Sequence, residues 1–270
     1  MTIEERIQAG RDFLRPVEEE VEGYHTDQEL KKPQPPLTKY PVRNSFIALP
    51  TDYENLDSIN DFLHIINTRS SHRVYTCQKM SLLELSYLLW CTQGIKEIRG
   101  KSYATLRTVP CGGGRHEFEC YMAIQNVEGL DDGYYHSLPM THAIEMLDEG
   151  SDLHDFISAS LEGQDWACKA NVVFYYGFVC YRAEWRYGIY THRMVMADAG
   201  HITENLYLAA TSIHLGGCAV GALNGKICDQ KFDLDGKEEF MIYAMPVGTI
   251  SAKDVQSEKD FYAFVKEEGL

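Results

Sequence analysis

The sequence predicts an α+β fold, and three observations predict it. Segments rich in Val, Phe and Tyr, such as Phe118 to Val127 and Asn171 to Val179, have the composition of strands. Other segments carry apolar residues at helical spacing behind a capping signal. Leu82, Leu85, Leu88 and Leu89 follow Ser81, with Glu84 three residues after that serine. The two kinds follow one another without the regular alternation that builds a doubly wound parallel sheet.

Ile3 to Arg15 has helical spacing through Ile3, Ile7, Phe13 and Leu14. An acidic run follows, from Glu18 to Glu22. Gln28 to Arg43 holds Pro33, Pro35, Pro36 and Pro41, a density that excludes helix and central strand. Residues 1–54 therefore read as a helix and an extended arm, which either drapes over the body or reaches a partner. Residues 55–270 read as the globular domain.

Within that domain, Asp57 or Ser58 caps a helix to about Asn67. The Ser81–Glu84 box opens a helix that stops near Gly94. Phe118 to Val127 is a strand, and Asp131-Asp132-Gly133 turns the chain into Tyr134 and Tyr135 as a hairpin. Two short helices are expected at Thr141 to Glu149 and Asp152 to Leu161. Asn171 to Val179 is a buried strand. Asp198 is expected to cap a long helix ending at Gly216–Gly217. Strands at Cys218 to Leu223 and Glu239 to Val247 and a helix from Ser257 to Glu268 complete the chain.

The composition narrows the function. With 44% hydrophobic residues the chain can fill a core. No run approaches the roughly 18–20 apolar residues of a membrane span. The start lacks the layout of a secretory signal, so a cytoplasmic location is expected. A net charge of -15 repels phosphate backbones and makes nucleic acid a poor partner. An anionic ligand would then need local clusters of Arg and Lys. None of the eight cysteines forms a Cys-x-x-Cys pair, and no metal site is expected. His116-Glu117-Phe118-Glu119-Cys120 reads as the start of a strand. Asp233-Leu234-Asp235-Gly236 begins like a calcium loop, but the later ligands are missing.

Four segments could carry chemistry. Arg69-Ser70-Ser71-His72-Arg73 offers a forked cation and hydroxyl donors suited to a phosphate, and Arg73 adds a second charge. Pro110-Cys111-Gly112-Gly113-Gly114 lets backbone amides approach a ligand, but it is neither a P-loop nor a G-x-G-x-x-G fingerprint. Gly216-Gly217-Cys218-Ala219-Val220-Gly221-Ala222 leaves room for a planar ring. Trp185-Arg186-Tyr187 could line a substrate pocket. Each alone also reads as a solvated turn, a flexible loop or ordinary packing.

Taken in order, these strings resemble the nitroreductase-like flavoproteins, and within them the SagB/ThcOx-type branch of azoline dehydrogenases. The strings are RSSHRVY from Arg69, LLELSYLLWCTQGI from Leu82, RTVPCGGGRHEFECY from Arg107, VEGLDDGYY from Val127 and DAGHITENLYLAA from Asp198. The resemblance spans roughly Ile66 to Gly248. It implies the nitroreductase fold, with a central antiparallel-rich sheet flanked by helices, and a homodimer with FMN sites at the interface. Arg69, Ser70 and Ser71 would hold the phosphate and ribityl end of FMN, and Arg73 would face N1 and O2. Pro110, Cys111, Gly112, Gly113 and Gly114 would come from the partner subunit. Backbone at Val220, Gly221 and Ala222 would face N5 and O4. Lys253, Lys259 and Lys266 are candidates for a further basic residue at the phosphate.

The chain departs from the branch in three places. Arg186-Tyr187 stands where azoline dehydrogenases have Lys-Tyr, and arginine does not act as a base. Tyr190 and His192 replace further basic and aromatic positions, and Glu117 replaces a proline. The resulting expectation is an FMN oxidoreductase that passes hydride from NADH or NADPH to a small organic acceptor such as a nitroaromatic or quinone. Tyr187 and Arg186 are the substrate-side residues. The alternatives are an azoline dehydrogenase acting on a modified peptide and a non-catalytic flavin-binding or accessory subunit.

Overall fold

The structure is a computed structural model. It describes residues 1–15 and 21–269, apart from the side chains at 254, 258, 261, 262, 265 and 266. Glu18 to Glu20 of the acidic run, and the side chain of Lys266, lie outside the described residues.

Helix α1, Ile3–Leu14, is closed by a capping box between Thr2 and Glu5 and buries none of its residues. Strand β1 is Ile47–Ala48, helix α2 Phe62–Thr68 and helix α3 Leu82–Gln93. A short hairpin of β2, Ile95–Arg99, and β3, Ala104–Arg107, stands apart from the main sheet. Strands β4, Phe118–Ile124, β5, Gly133–Leu138, and β6, Ala143–Glu149, then follow, before α4, Leu153–Ser160. Strand β7, Val172–Val179, leads into α5, Cys180–Tyr187, and the long α6, Thr191–Ser212. The chain ends with β8, Leu215–Gly217, α7, Gly225–Lys231, β9, Glu239–Thr249, and α8, Ala252–Glu267.

Seven strands form one sheet in the order β1-β6-β5-β4-β7-β9-β8, every pair antiparallel. The strand period of two sorts the side chains onto two cores. Phe118, Cys120, Met122 and Ile124, with Val172, Phe174, Tyr176 and Phe178, pack under α3 and α6. Tyr121, Ala123, Val173 and Tyr175 face α4 and α7 across the sheet. Helices on both faces explain why β4 and β7 read as continuous apolar runs.

The proline-rich arm drapes over the body. Its backbone amides have no ladder to join and take acceptors from the domain instead. The Gln28 amide donates to Trp185 O at 2.8 Å, and the Trp185 indole donates to Lys32 O at 3.0 Å. The Lys39 amide donates to Glu119 Oε1 at 2.8 Å. The amides of Val42 and Arg43 donate to Glu145 Oε2 at 2.9 and 2.7 Å. Both carboxylates are buried and flank His136, at 3.1 Å for Glu119 and 3.0 Å for Glu145. Arg182 pairs with Glu119 at 2.6 Å.

Several local expectations are corrected. Thr141 to Glu149 contains strand β6, not a helix, because it pairs with both β5 and β1 and sheet pairing outweighs local spacing. Asp198 does not cap α6, which starts at Thr191; the residue is buried mid-helix and occupied by a tertiary hydrogen bond. That helix ends at Ser212, and Gly216–Gly217 belong to β8. Cys218 to Leu223 is no strand: Val220 alone bridges, to Ala244, and the rest is loop. Helix α2 is capped by Asp61, not by Asp57 or Ser58. Helix α8 begins at Ala252, ahead of the expected Ser257.

Candidate cofactor and substrate site

At Arg69 the backbone leaves the helical region, with φ -52 and ψ 129, and α2 ends. The following residues run beside β8, where Ser71 bridges Gly217 and the His72 amide donates to Gly217 O at 2.9 Å. A Cβ on Gly216 would lie 2.8 Å from His72 Cβ, so this approach needs glycine. Tyr207 of α6 fastens the two segments. Its hydroxyl lies 3.2 Å from Ser71 Oγ and accepts the Ala219 amide at 2.7 Å. The Arg69 guanidinium sits 5.1 Å from the Tyr207 ring centre. Tyr207 was not singled out from sequence; on a helix it reads as ordinary packing. Beyond the Val220 bridge, Gly221 and Ala222 are exposed.

A cleft of about 670 Å³ opens here, with Arg69, Ser70, His64, His214 and Lys259 in its wall. Helix α8 thus brings Lys259, one of the three candidate lysines, into the wall of the same cleft as Arg69. Among the described residues Arg69 makes no ion pair. Arg73 points elsewhere, its guanidinium 5.9 Å from the Trp166 ring centre.

The other candidates gather in a second place. After β3 the chain makes a tight turn over Gly112–Gly114, with φ 57 at Gly113 and 65 at Gly114. A Cβ on Gly113 would lie 2.4 Å from Arg186 Nε and 2.6 Å from the Tyr187 hydroxyl. The turn is moulded on Arg186 and Tyr187. Arg186 Nη1 donates to the Tyr103 hydroxyl at 2.5 Å and to Gln28 Oε1 at 3.3 Å. Gln28 Nε2 also donates to the Tyr103 hydroxyl, at 2.8 Å. Burial works to raise the Tyr103 pKa, but Gln28, Arg186 and Arg115 outweigh it and hold the phenol below its ordinary value. Burial works to lower Arg186, but Tyr187 and Tyr103 raise it, so it stays a cation. Tyr103 was missed in the sequence because nothing near it in the chain marks it.

Under the turn, the Cys111 thiol donates to Glu117 Oε2 at 3.1 Å. The His116 amide donates to Cys111 Sγ, and the Gly112 amide to Asp198 Oδ2, both at 3.0 Å. Burial, reinforced by Asp198, pushes the Glu117 carboxyl up to about 7.

Two groupings therefore result. Arg69 to Ser71 meet the Gly216 to Ala222 segment, while Pro110 to Gly114 meet Arg186 and Tyr187. Asp198 under the second and Tyr207 in the first are nine residues apart on α6, about 14 Å at a rise of 1.5 Å per residue. No described helix is long and apolar enough to cross a membrane.

A model of the nitroreductase family matches residues 66–249. A Methanocaldococcus jannaschii protein that bears a nitroreductase name is 29% identical over 184 residues, which are 68% of this chain and 88% of that one. A solved Ralstonia eutropha structure, also bearing a nitroreductase name, is 23% identical with a TM-score of 0.63, over 87% of this chain and 98% of that chain. The E. coli microcin synthetase McbBCD complex with truncated pro-MccB17 contains a chain that is 17% identical with a TM-score of 0.56, over 93% of this chain and 95% of its own. These two likenesses, both under 25% identical, show the fold alone. Since the family model takes in more than half of the sequence, including the arginine-serine segment, the glycine turn and α6, this chain belongs to the nitroreductase family.

Proposed function

We propose that this chain is an FMN-dependent oxidoreductase that takes electrons from NADH or NADPH and delivers them to a small organic acceptor, such as a nitroaromatic or a quinone. The observation that carries the reading is the donor set at the first grouping. Arg69, Ser70 and Lys259 share one cleft, and Tyr207 ties Ser71 to Ala219 in the loop that leads from β8 into Val220 to Ala222. A forked cation, hydroxyls and an ammonium fit a phosphate. In a chain of net charge -15, their gathering beside open backbone fits an anionic cofactor.

When bound, FMN supplies the redox chemistry, accepting hydride and releasing electrons to an acceptor. This chain's residues would hold and tune it. Arg69, Ser70, Ser71 and Lys259 would bind its phosphate and ribityl end. Backbone at Val220, Gly221 and Ala222 would lie along the ring, and Arg73, whose guanidinium lies by Trp166, would have to swing round to place positive charge near N1 and O2. Pro110 to Gly114 would serve the site of a second copy, which accounts for the distance between the two groupings within one chain. Arg186 and Tyr187, with Tyr103, would orient the acceptor, and a tyrosine hydroxyl would give it a proton.

The azoline dehydrogenase reading finds support in Tyr187 lying against the glycine turn. It is disfavoured by Arg186, a cation held by Tyr103 and Gln28 where that chemistry calls for a base. The deciding experiment is an absorbance spectrum of purified protein before and after anaerobic NADPH or NADH. Flavin bands that bleach support the oxidoreductase. Bound flavin that ignores both nicotinamides favours the azoline or non-catalytic reading. No flavin, even after FMN is added, overturns the proposal.

A further inference from the structure

Beneath the glycine turn three side chains converge; the flavin reading uses the turn at Cys111 as backbone, but not its thiol nor the two carboxyl groups beneath it. Cys111 Sγ, a Glu117 oxygen and an Asp198 oxygen all lie within 4.8 Å of one another. Cys111 comes from the turn after β3, Glu117 from the approach to β4 and Asp198 from the middle of α6. Glu117 is 2% exposed and Asp198 6%. Carboxyl groups this deep ordinarily sit against a cation. Among the described residues neither has a Lys or Arg nitrogen within ion-pair distance, and Asp198 pairs with His201 at 3.2 Å.

We propose that Cys111, Glu117 and Asp198 form a binding site for one zinc ion, which staples the glycine turn to α6. A thiolate and two carboxylate oxygens supply three of the four positions of a tetrahedral zinc centre. Zinc distances of about 2.0–2.3 Å place neighbouring ligand atoms about 3.3–3.8 Å apart, so small side-chain adjustments close the set. The thiolate selects zinc over magnesium or calcium, which prefer oxygen ligands.

The fourth position has a place prepared for it. A cavity of about 10 Å³, the size of one water, is walled by Cys111, Asp198 and Gln93, and also by His116 and the buried cation Arg107, though not by Glu117. Gln93 is 3% exposed, and its Nε2 has no acceptor among the described residues. Arg107 Nη1 donates to Gln93 Oε1 at 2.7 Å, which fixes which end of the amide is left over. An unsatisfied donor in the wall fits an oxygen ligand on the ion, a hydroxide or a small anion.

Two of the three ligands also carry the orienting bonds that metal ligands need. The His116 amide donates to Cys111 Sγ at 3.0 Å. The Gly112 amide donates to Asp198 Oδ2 at 3.0 Å, and His201 lies 3.2 Å from Oδ1. Binding the ion releases to solvent the thiol proton of Cys111 and the carboxyl proton of whatever fraction of Glu117 is protonated.

The test uses the full-length protein as purified, with the exposed Cys77 replaced by serine to remove an adventitious ligand. Zinc content is measured after dialysis, affinity by competition with a chromophoric chelator, and geometry by cobalt substitution. One zinc per chain is expected, and cobalt should give thiolate charge-transfer and intense tetrahedral bands. Cys111→Ser should abolish the thiolate band. The near-isosteric Glu117→Gln, with folding checked by circular dichroism, should weaken zinc binding by at least about tenfold, since losing even an orienting partner costs 10–100-fold. Absence of stoichiometric zinc, a thiolate band that survives Cys111→Ser, or affinity unchanged in folded Glu117→Gln each overturns the proposal. None of these readouts depends on flavin.

Discussion

Arg186 of α5 donates to the hydroxyl of Tyr103 across 2.5 Å, joining that helix to the β2–β3 hairpin beside the glycine turn. The same hydroxyl takes a hydrogen bond from Gln28, so the N-terminal arm, the hairpin and α5 meet on one oxygen atom.

Tyr103→Phe removes that acceptor and leaves a guanidinium N–H without its partner. The expected result is a fall of about tenfold in kcat/KM for the acceptor, the equivalent of one charge-assisted hydrogen bond. Flavin content should not change. Steady-state kinetics at saturating nicotinamide, with flavin absorbance measured in parallel, checks it. Unchanged kinetics would remove Tyr103 from the site.

Tyr207→Phe keeps the ring under Arg69 and loses both bonds of the hydroxyl. The Ala219 amide is left without its acceptor, which costs about 1–2 kcal/mol of stability. Ser71 is no longer held, so FMN affinity should drop roughly tenfold. Fluorescence titration with FMN and urea denaturation report the two effects separately. Wild-type affinity in the variant would show that Ser71 needs no such fastening.

Gly113→Ala and Gly221→Ala should part company. At Gly113 the backbone φ is 57, and the new methyl would meet Arg186 Nε at 2.4 Å. A strained backbone with an overpacked contact costs about 1–3 kcal/mol. At Gly221 the nearest atom is Tyr243 Cε2 at 3.6 Å, so stability should hold within about 0.5 kcal/mol. There the loss should fall on FMN binding instead. Equal melting temperatures for the two variants would contradict the assignment.

The arm should be held by pH-sensitive charges. Burial alone would lower the His136 pKa, but Glu119 and Glu145 overcome it, and the folded value is raised above the ordinary 6.5. Its contribution is complete below 6.5 and is lost as pH rises through the folded value. Burial alone would raise Glu119 and Glu145, but Arg182 and His136 hold the first, and His136 with the Arg43 and Val42 amides the second, below the ordinary 4.5. Their contribution is complete above 4.5 and is lost as pH falls through the folded values. Protection of the Lys39, Val42 and Arg43 amides against hydrogen exchange should therefore be greatest between 4.5 and 6.5. His136→Gln should remove the alkaline decline while leaving the acid one. Protection independent of pH would refute the electrostatic anchor.

Much of this protein is legible in the chain alone, because the signals are local. The capping box of Ser81 and Glu84 is three residues wide, and the Asp131-Asp132-Gly133 turn announces the β4–β5 hairpin at its own position. Strands β4, β7 and β9 show in composition, and the ordered strings from Arg69 to Ala210 indicate the family, which the match over residues 66–249 bears out. Tertiary structure decided what depends on partners far apart in sequence. Strand β6 carries helix-like spacing and becomes a strand only because β5 and β1 lie on either side of it. Asp198 looks like a cap until α6 packs it against Gly112, the product of a turn much earlier in the chain. Tyr207 and Tyr103 acquire roles only through Ser71, Ala219, Arg186 and Gln28. Cys111, Glu117 and Asp198 share no spacing that a sequence pattern could reveal. Capping and periodicity are written into neighbouring residues, whereas hydrogen bonds between distant segments exist only once burial has brought those segments together.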